Sequence, residues 1–181
     1  MRNFFGIVLI FLSQSAVCAP LAPPEMAAVQ VVDQFVQGCF MSFPYPDKFA
    51  GWLAQSNFHK LSSSDASAYL AGHSGEAWSA QLDKSNFTLT SIGDSACNVF
   101  ANDLDGPMTK NLVVGFMDYL KTQGASYQPK DITPKSAGDG SSTTSYAVSI
   151  GGETIMNLIL TISPRGVGMS QVALTASKVK N

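Results

Sequence analysis

The chain has 181 residues, 45% hydrophobic and 13% charged, with three cysteines and a formal net charge of −2. That length and apolar fraction suit one packed domain, and the composition excludes wholesale disorder, collagen and coiled coil. So small a negative charge gives no basis for electrostatic binding to nucleic acid.

Residues 1–19 read as a secretory signal peptide. Met1-Arg2-Asn3 supplies the charge, residues 4–12 are an apolar run, and Ser13 to Ala19 is polar and then small. The run is too short to span a bilayer, which takes about 20 residues, so no stable membrane span is expected after cleavage. A cut after Ala19 suits Val17 and Ala19 but leaves Pro20 beside it; a cut after Cys18 avoids that neighbour. Lipid attachment to Cys18 fits less well, because Ser15 and Val17 depart from the lipoprotein pattern. Either cut removes Arg2, leaving 10 Lys+Arg against 13 Asp+Glu and a net charge of −3. Either cut also removes Cys18. Cys39 and Cys97 are then expected to pair as a disulfide in an oxidising periplasmic or secreted compartment; the alternative is two buried thiols.

Residues 20–24 form a proline-rich lead-in, and residues 25–181 are expected to fold as a single α+β domain. Pro23-Pro24 suits the first turn of a helix. Ala28, Val31/Val32, Phe35/Val36 and Cys39 then repeat at helical spacing over residues 25–40. A second helix opens at Pro46-Asp47, with Phe49, Trp52 and Leu53 on one face. A third covers about residues 63–71, capped by Ser62 or Ser63 and stopped at Gly72. Residues 76–82, 86–92 and 96–101 read as strands. Asp105-Gly106-Pro107 begins a fourth helix, which ends near Gly124.

The last third alternates cleanly. Tyr146, Val148 and Ile150 share one face, as do Met156, Leu158, Leu160 and Ile162. Aligning them predicts a three-residue turn, Gly151-Gly152-Glu153, with Ile150 opposite Thr154. Ser163-Pro164-Arg165-Gly166 is expected to pair Ile162 with Val167 and Leu160 with Met169. The shift from odd to even apolar positions then predicts a bulge at Ser170-Gln171. The fold expected is α+β: N-terminal helices, and an antiparallel β-sheet with a helix between a short strand group and a C-terminal β-meander.

Motifs that carry chemistry are few. Gly72-His73-Ser74-Gly75 invites comparison with a nucleophile elbow, but Glu76 replaces the final Gly and the order is helix to strand. His59 and His73 could meet Asp65 or Glu76 at a metal, yet no spacing matches a ligand motif. Asp103-Leu104-Asp105-Gly106 imitates a calcium loop without its outer carboxylates; helix capping by Asp105 explains it better. Asn86-Phe87-Thr88 is formally a glycosylation sequon. No phosphate loop or dinucleotide fingerprint exists, and no cofactor is expected. Trp52, Trp78 and His73 form the candidate binding surface, against a default of core packing for the tryptophans. The Ser/Thr-rich face of the last strands (Thr143, Thr144, Ser145, Ser149, Thr161, Thr175, Ser177) reads as solvated.

From Ser67 to Leu120 the chain resembles a family of small, exported, uncharacterised proteobacterial proteins of the periplasm. The shared string is Ala68-Tyr69-Leu70-x-Gly72-x-x-Gly75-x-Ala77-Trp78, then Phe87-x-Leu89-x-Ser91, Gly93 and Cys97-x-Val99-Phe100-Ala101. Phe116 on the following helix and Cys39 on the first fit the same pattern. The resemblance implies compartment and fold, and assigns no reaction. The function expected is that of an exported, non-catalytic binding or accessory protein, its partner another exported protein or an envelope component. The alternative is an envelope-directed hydrolase with a site near His73 and Ser74, drawing on Glu76 or Asp65.

Overall fold

The computed structural model describes residues 21–82, 85–134, 138–166 and 170–179. The expected signal peptide, the 83–84 link and the pairings of Val167 and Met169 therefore lie outside the described residues.

Among the described residues, four α-helices and one eight-stranded antiparallel sheet make an α+β fold, as expected. Helix α1 (Pro23–Gln34) begins with prolines in its first turn, and Glu25 Oε2 accepts a hydrogen bond from the Ala22 N–H at 2.8 Å. It continues as a π-helix over Phe35–Ser42. Ala27, Val31, Phe35, Cys39 and Phe43 are all buried, at a strict spacing of four. On an α-helix that spacing drifts by about 40° per step; the wider π turn takes up the drift and keeps Cys39 and Phe43 aimed at the sheet. This is the reason the single helix expected over residues 25–40 changes pitch at Phe35.

Helices α2 (Pro46–Gln55) and α3 (Ser63–Leu70) follow, with strand β1 (His59–Lys60) between them. Ser62 caps α3, its Oγ accepting from Asp65 N at 3.3 Å. The helix ends at Ala71 and Gly72, both at positive φ (48° and 82°). A meander of β2 (Glu76–Leu82), β3 (Ser85–Ile92) and β4 (Ala96–Ala101) leads into α4 (Gly106–Thr122). Asp105 caps α4, its Oδ1 accepting from Met108 N at 2.7 Å. Strands β5 (Ala125–Asp131), β6 (Ser142–Ile150), β7 (Glu153–Ile162) and β8 (Val172–Lys178) form a second meander. The strand order is β1-β2-β3-β4-β8-β7-β6-β5, so β4 and β8 join the halves.

Helices α1, α2 and α4, with the π segment, cover one sheet face. They enclose Phe35, Phe87, Leu89, Val99, Met117, Leu158, Leu160 and Leu174, each at most 2% exposed. Among the described residues, α3 alone lies on the opposite face, where Ala66 and Leu70 pack on Ala77, and no other described helix covers that face.

Two register expectations are corrected. Between β6 and β7 the turn has two residues, with Ile150 opposite Glu153, because Gly151 and Gly152 both take positive φ (61° and 89°). A bulge at Ile155 restores Val148 opposite Met156, the apolar alignment that the alternation demanded. Between β7 and β8, Ile162 pairs with Val172 and Leu160 with Leu174. The parity shift falls in the connection, so Ser170-Gln171 is no strand bulge. Gln171 instead ties that connection to the β4–α4 link. Its N–H donates to Asn102 Oδ1 (2.8 Å) and Ala101 O (3.0 Å), its carbonyl accepts from Ser163 N (2.8 Å), and its side chain bonds both ways with the Leu104 backbone.

Candidate functional site

Cys39, on the π segment, and Cys97, on β4, form the expected disulfide, with Cα atoms 5.3 Å apart. Both residues are fully buried. This bond joins the helical layer to a central strand, and it is consistent with an exported protein. Among the described residues no helix is long and apolar enough to cross a membrane.

Of the candidate surface residues, Trp78 faces the core and is 8% exposed, in edge contact with Phe49 (ring centroids 5.8 Å apart). Trp52 stacks on Phe49 (6.2 Å, 18°) and tilts against Phe58 (5.7 Å). One aromatic cluster thus absorbs both tryptophans. Trp52 also lines a cleft, a space of about 220 Å³ shared with Gln34, Gln55 and Asn57. His73 is exposed in the α3–β2 turn and makes no ring contact with either tryptophan.

The alternative hydrolase set is not assembled. Glu76 pairs with Lys60 across β1 and β2, and Asp65 accepts from Ser62 Oγ at 2.6 Å. No hydrogen bond joins His73 or Ser74 to a carboxylate among the described residues, so the geometry needed to activate a serine is missing. No group of three or more His, Cys, Asp or Glu suited to a metal occurs among the described residues. A cavity of about 610 Å³ is lined by Leu21, Met26, Gln30, Asp103 and Arg165 among others.

Sequence reasoning missed a different place. On the sheet face opposite the core, beside α3, a groove of about 450 Å³ is lined by His59, Tyr69, Ser79, Gln81, Asn86 and Thr88. Register explains the convergence. His59 pairs with Ser79, Ser79 with Thr88, and Thr88 with Phe100, in one row across four strands. Gln81 and Asn86 pair in the next row on the same face. Tyr69 descends from α3 onto Phe100 (5.8 Å between ring centroids) and walls one side. The signal was available in residues 79–81 and 86–88, where polar residues alternate with Ala80 and Phe87, but the strand pairing that gathers them is not written in either strand alone.

Further along this face several polar side chains satisfy one another. Asn98 Nδ2 donates to Thr90 Oγ1 (2.8 Å) and Thr175 Oγ1 to Asn98 Oδ1 (2.7 Å), while Thr143 and Thr161 share a hydroxyl contact at 3.1 Å. Thr144 does not belong to this face, since it alternates with Thr143 and shares the core side with Tyr146. No family model, curated protein or solved structure matches the chain, so its function is read from its own disulfide, groove and surface chemistry.

Proposed function

We propose that the protein is an exported, non-catalytic binding or accessory protein of the cell envelope, secreted or periplasmic, belonging to the family it resembles. The observation that supports this reading is the contrast between two regions. Several polar side chains of the sheet's open face pair with one another elsewhere, whereas the six around the His59–Thr88 groove have no hydrogen-bond partner among the described residues. The two carboxylates that a hydrolase near His73 and Ser74 would draw on are meanwhile held in the pairs Lys60–Glu76 and Ser62–Asp65. A surface that keeps donors and acceptors exposed in a fixed array, with no activated nucleophile nearby, holds a ligand without transforming it.

Co-sedimentation with isolated envelope material tests both halves of the proposal in one tube. The mature protein is expected to pellet saturably, with no time-dependent release of soluble fragments. Fragment release in proportion to added protein, or failure to pellet with any envelope fraction, overturns the reading.

A further inference from the structure

Resting on that binding reading, we infer that the groove beside α3 is a site for a neutral, polyhydroxylated ligand, a short segment of uncharged glycan.

Six polar side chains line the groove: the imidazole of His59, the phenol of Tyr69, the hydroxyls of Ser79 and Thr88, and the carboxamides of Gln81 and Asn86. None of the six makes a side-chain hydrogen bond within the described protein. Thr88 is the most telling. It is 7% exposed, yet its hydroxyl has no partner, and no fully buried side-chain oxygen or nitrogen is left unsatisfied among the described residues. The Thr88 oxygen therefore opens into the groove. An inward-facing hydroxyl at the floor of a recess, ringed by five further polar groups, is the arrangement that a bound polar ligand would satisfy.

The chemistry of the lining selects the class. Carboxamides and hydroxyls each both donate and accept, as sugar hydroxyls do. Tyr69 and His59 add aromatic surface for the C–H face of a ring. Among the described residues no Lys, Arg, Asp or Glu lines the groove, and Lys60, next to His59, pairs with Glu76. A phosphate or carboxylate ligand would find no counter-charge among these lining residues, and nucleic acid no basic track among them. An apolar ligand would strand six polar groups away from water. An extended peptide would add to a sheet edge, but the adjoining edge strand, β1, has only two residues. The volume falls within the about 300–1,000 Å³ usual for small-ligand sites. The lining row His59–Ser79–Thr88 crosses two strand gaps, roughly 10 Å, which is longer than a single ring.

Calorimetric titration of the mature, oxidised protein tests the inference, using cellotetraose, maltotetraose and chitotetraose as neutral probes and tetragalacturonate as an acidic one. Saturable binding of at least one neutral oligomer is expected, weakened roughly tenfold or more in Gln81→Ala/Asn86→Ala, since two lost hydrogen bonds of about 1 kcal/mol each reach that factor. Thr88→Val is expected to weaken it as well, whereas Gln55→Ala/Asn57→Ala at the Trp52 cleft leaves it unchanged. Circular dichroism and an intact disulfide confirm that each variant is folded. No binding of any neutral oligomer, preference for the acidic one, or indifference to the groove variants overturns the inference. If the protein still pellets with envelope material while binding no neutral oligomer, the ligand class fails and the binding reading stands.

Discussion

A few single side chains do more than fill space. Gln171 joins three backbone segments, and through Leu104 it anchors a residue that is 1% exposed. Gln171→Ala leaves both Leu104 backbone groups without their partner and is expected to cost about 1–3 kcal/mol, read as a lowered urea midpoint with an unchanged slope. Tyr146 is 2% exposed, and burial, with Tyr127 beside it, pushes its phenol pKa up. A raised folded-state value means that stability is intact below the unfolded value near 10 and is lost as pH rises through the folded one. Tyr146→Phe is therefore expected to move the alkaline unfolding midpoint to higher pH, with little change at neutrality. An unchanged alkaline limb would show that Tyr146 does not carry this sensitivity.

Elements were legible in the sequence to the extent that they bury a regular face. Strands β2, β3 and β4 and the caps Ser62 and Asp105 stand where alternation and capping chemistry place them. Strand β5 was not foreseen. Only Ala125 and Tyr127 are partly buried in it, and Pro129 interrupts the pattern. Such a strand owes its pairing to β6, and the same proline, with Lys130 and Asp131, blunts the edge against further pairing. The π segment hid because its spacing of four is shared by α patterns. Its Gly38 is required. A Cβ there would lie 2.6 Å from Trp52 Cη2, so the indole could not rest against the helix. Gly38→Ala is expected to cost about 1–3 kcal/mol and to alter the near-ultraviolet circular dichroism of Trp52. A variant with wild-type stability and spectrum would refute this packing.

At the scale of the molecule, two antiparallel meanders meet at β4 and β8, and one covalent bond ties β4 to the helical layer above it. Closing a loop across 58 residues stabilises by about 4 kcal/mol in the chain-entropy account. Replacing both cysteines with alanine is expected to cost about that much, whereas equal stability with and without reductant would deny the bond its structural part. The candidate site was the least legible feature. Trp52, Trp78 and His73 are individually conspicuous, but the fold buries Trp78 and leaves His73 apart. The groove is composed largely of ordinary Ser, Thr, Gln and Asn residues from two strands and gains its character only when register assembles them. The measurement that tests this account most directly is amide chemical-shift mapping of the mature protein titrated with the best-binding neutral tetrasaccharide. Shifts are predicted to concentrate at His59, Tyr69, Ser79, Gln81, Asn86 and Thr88, with Gln55 and Asn57 silent. Shifts confined to the helical face, or none at saturating ligand, would contradict it.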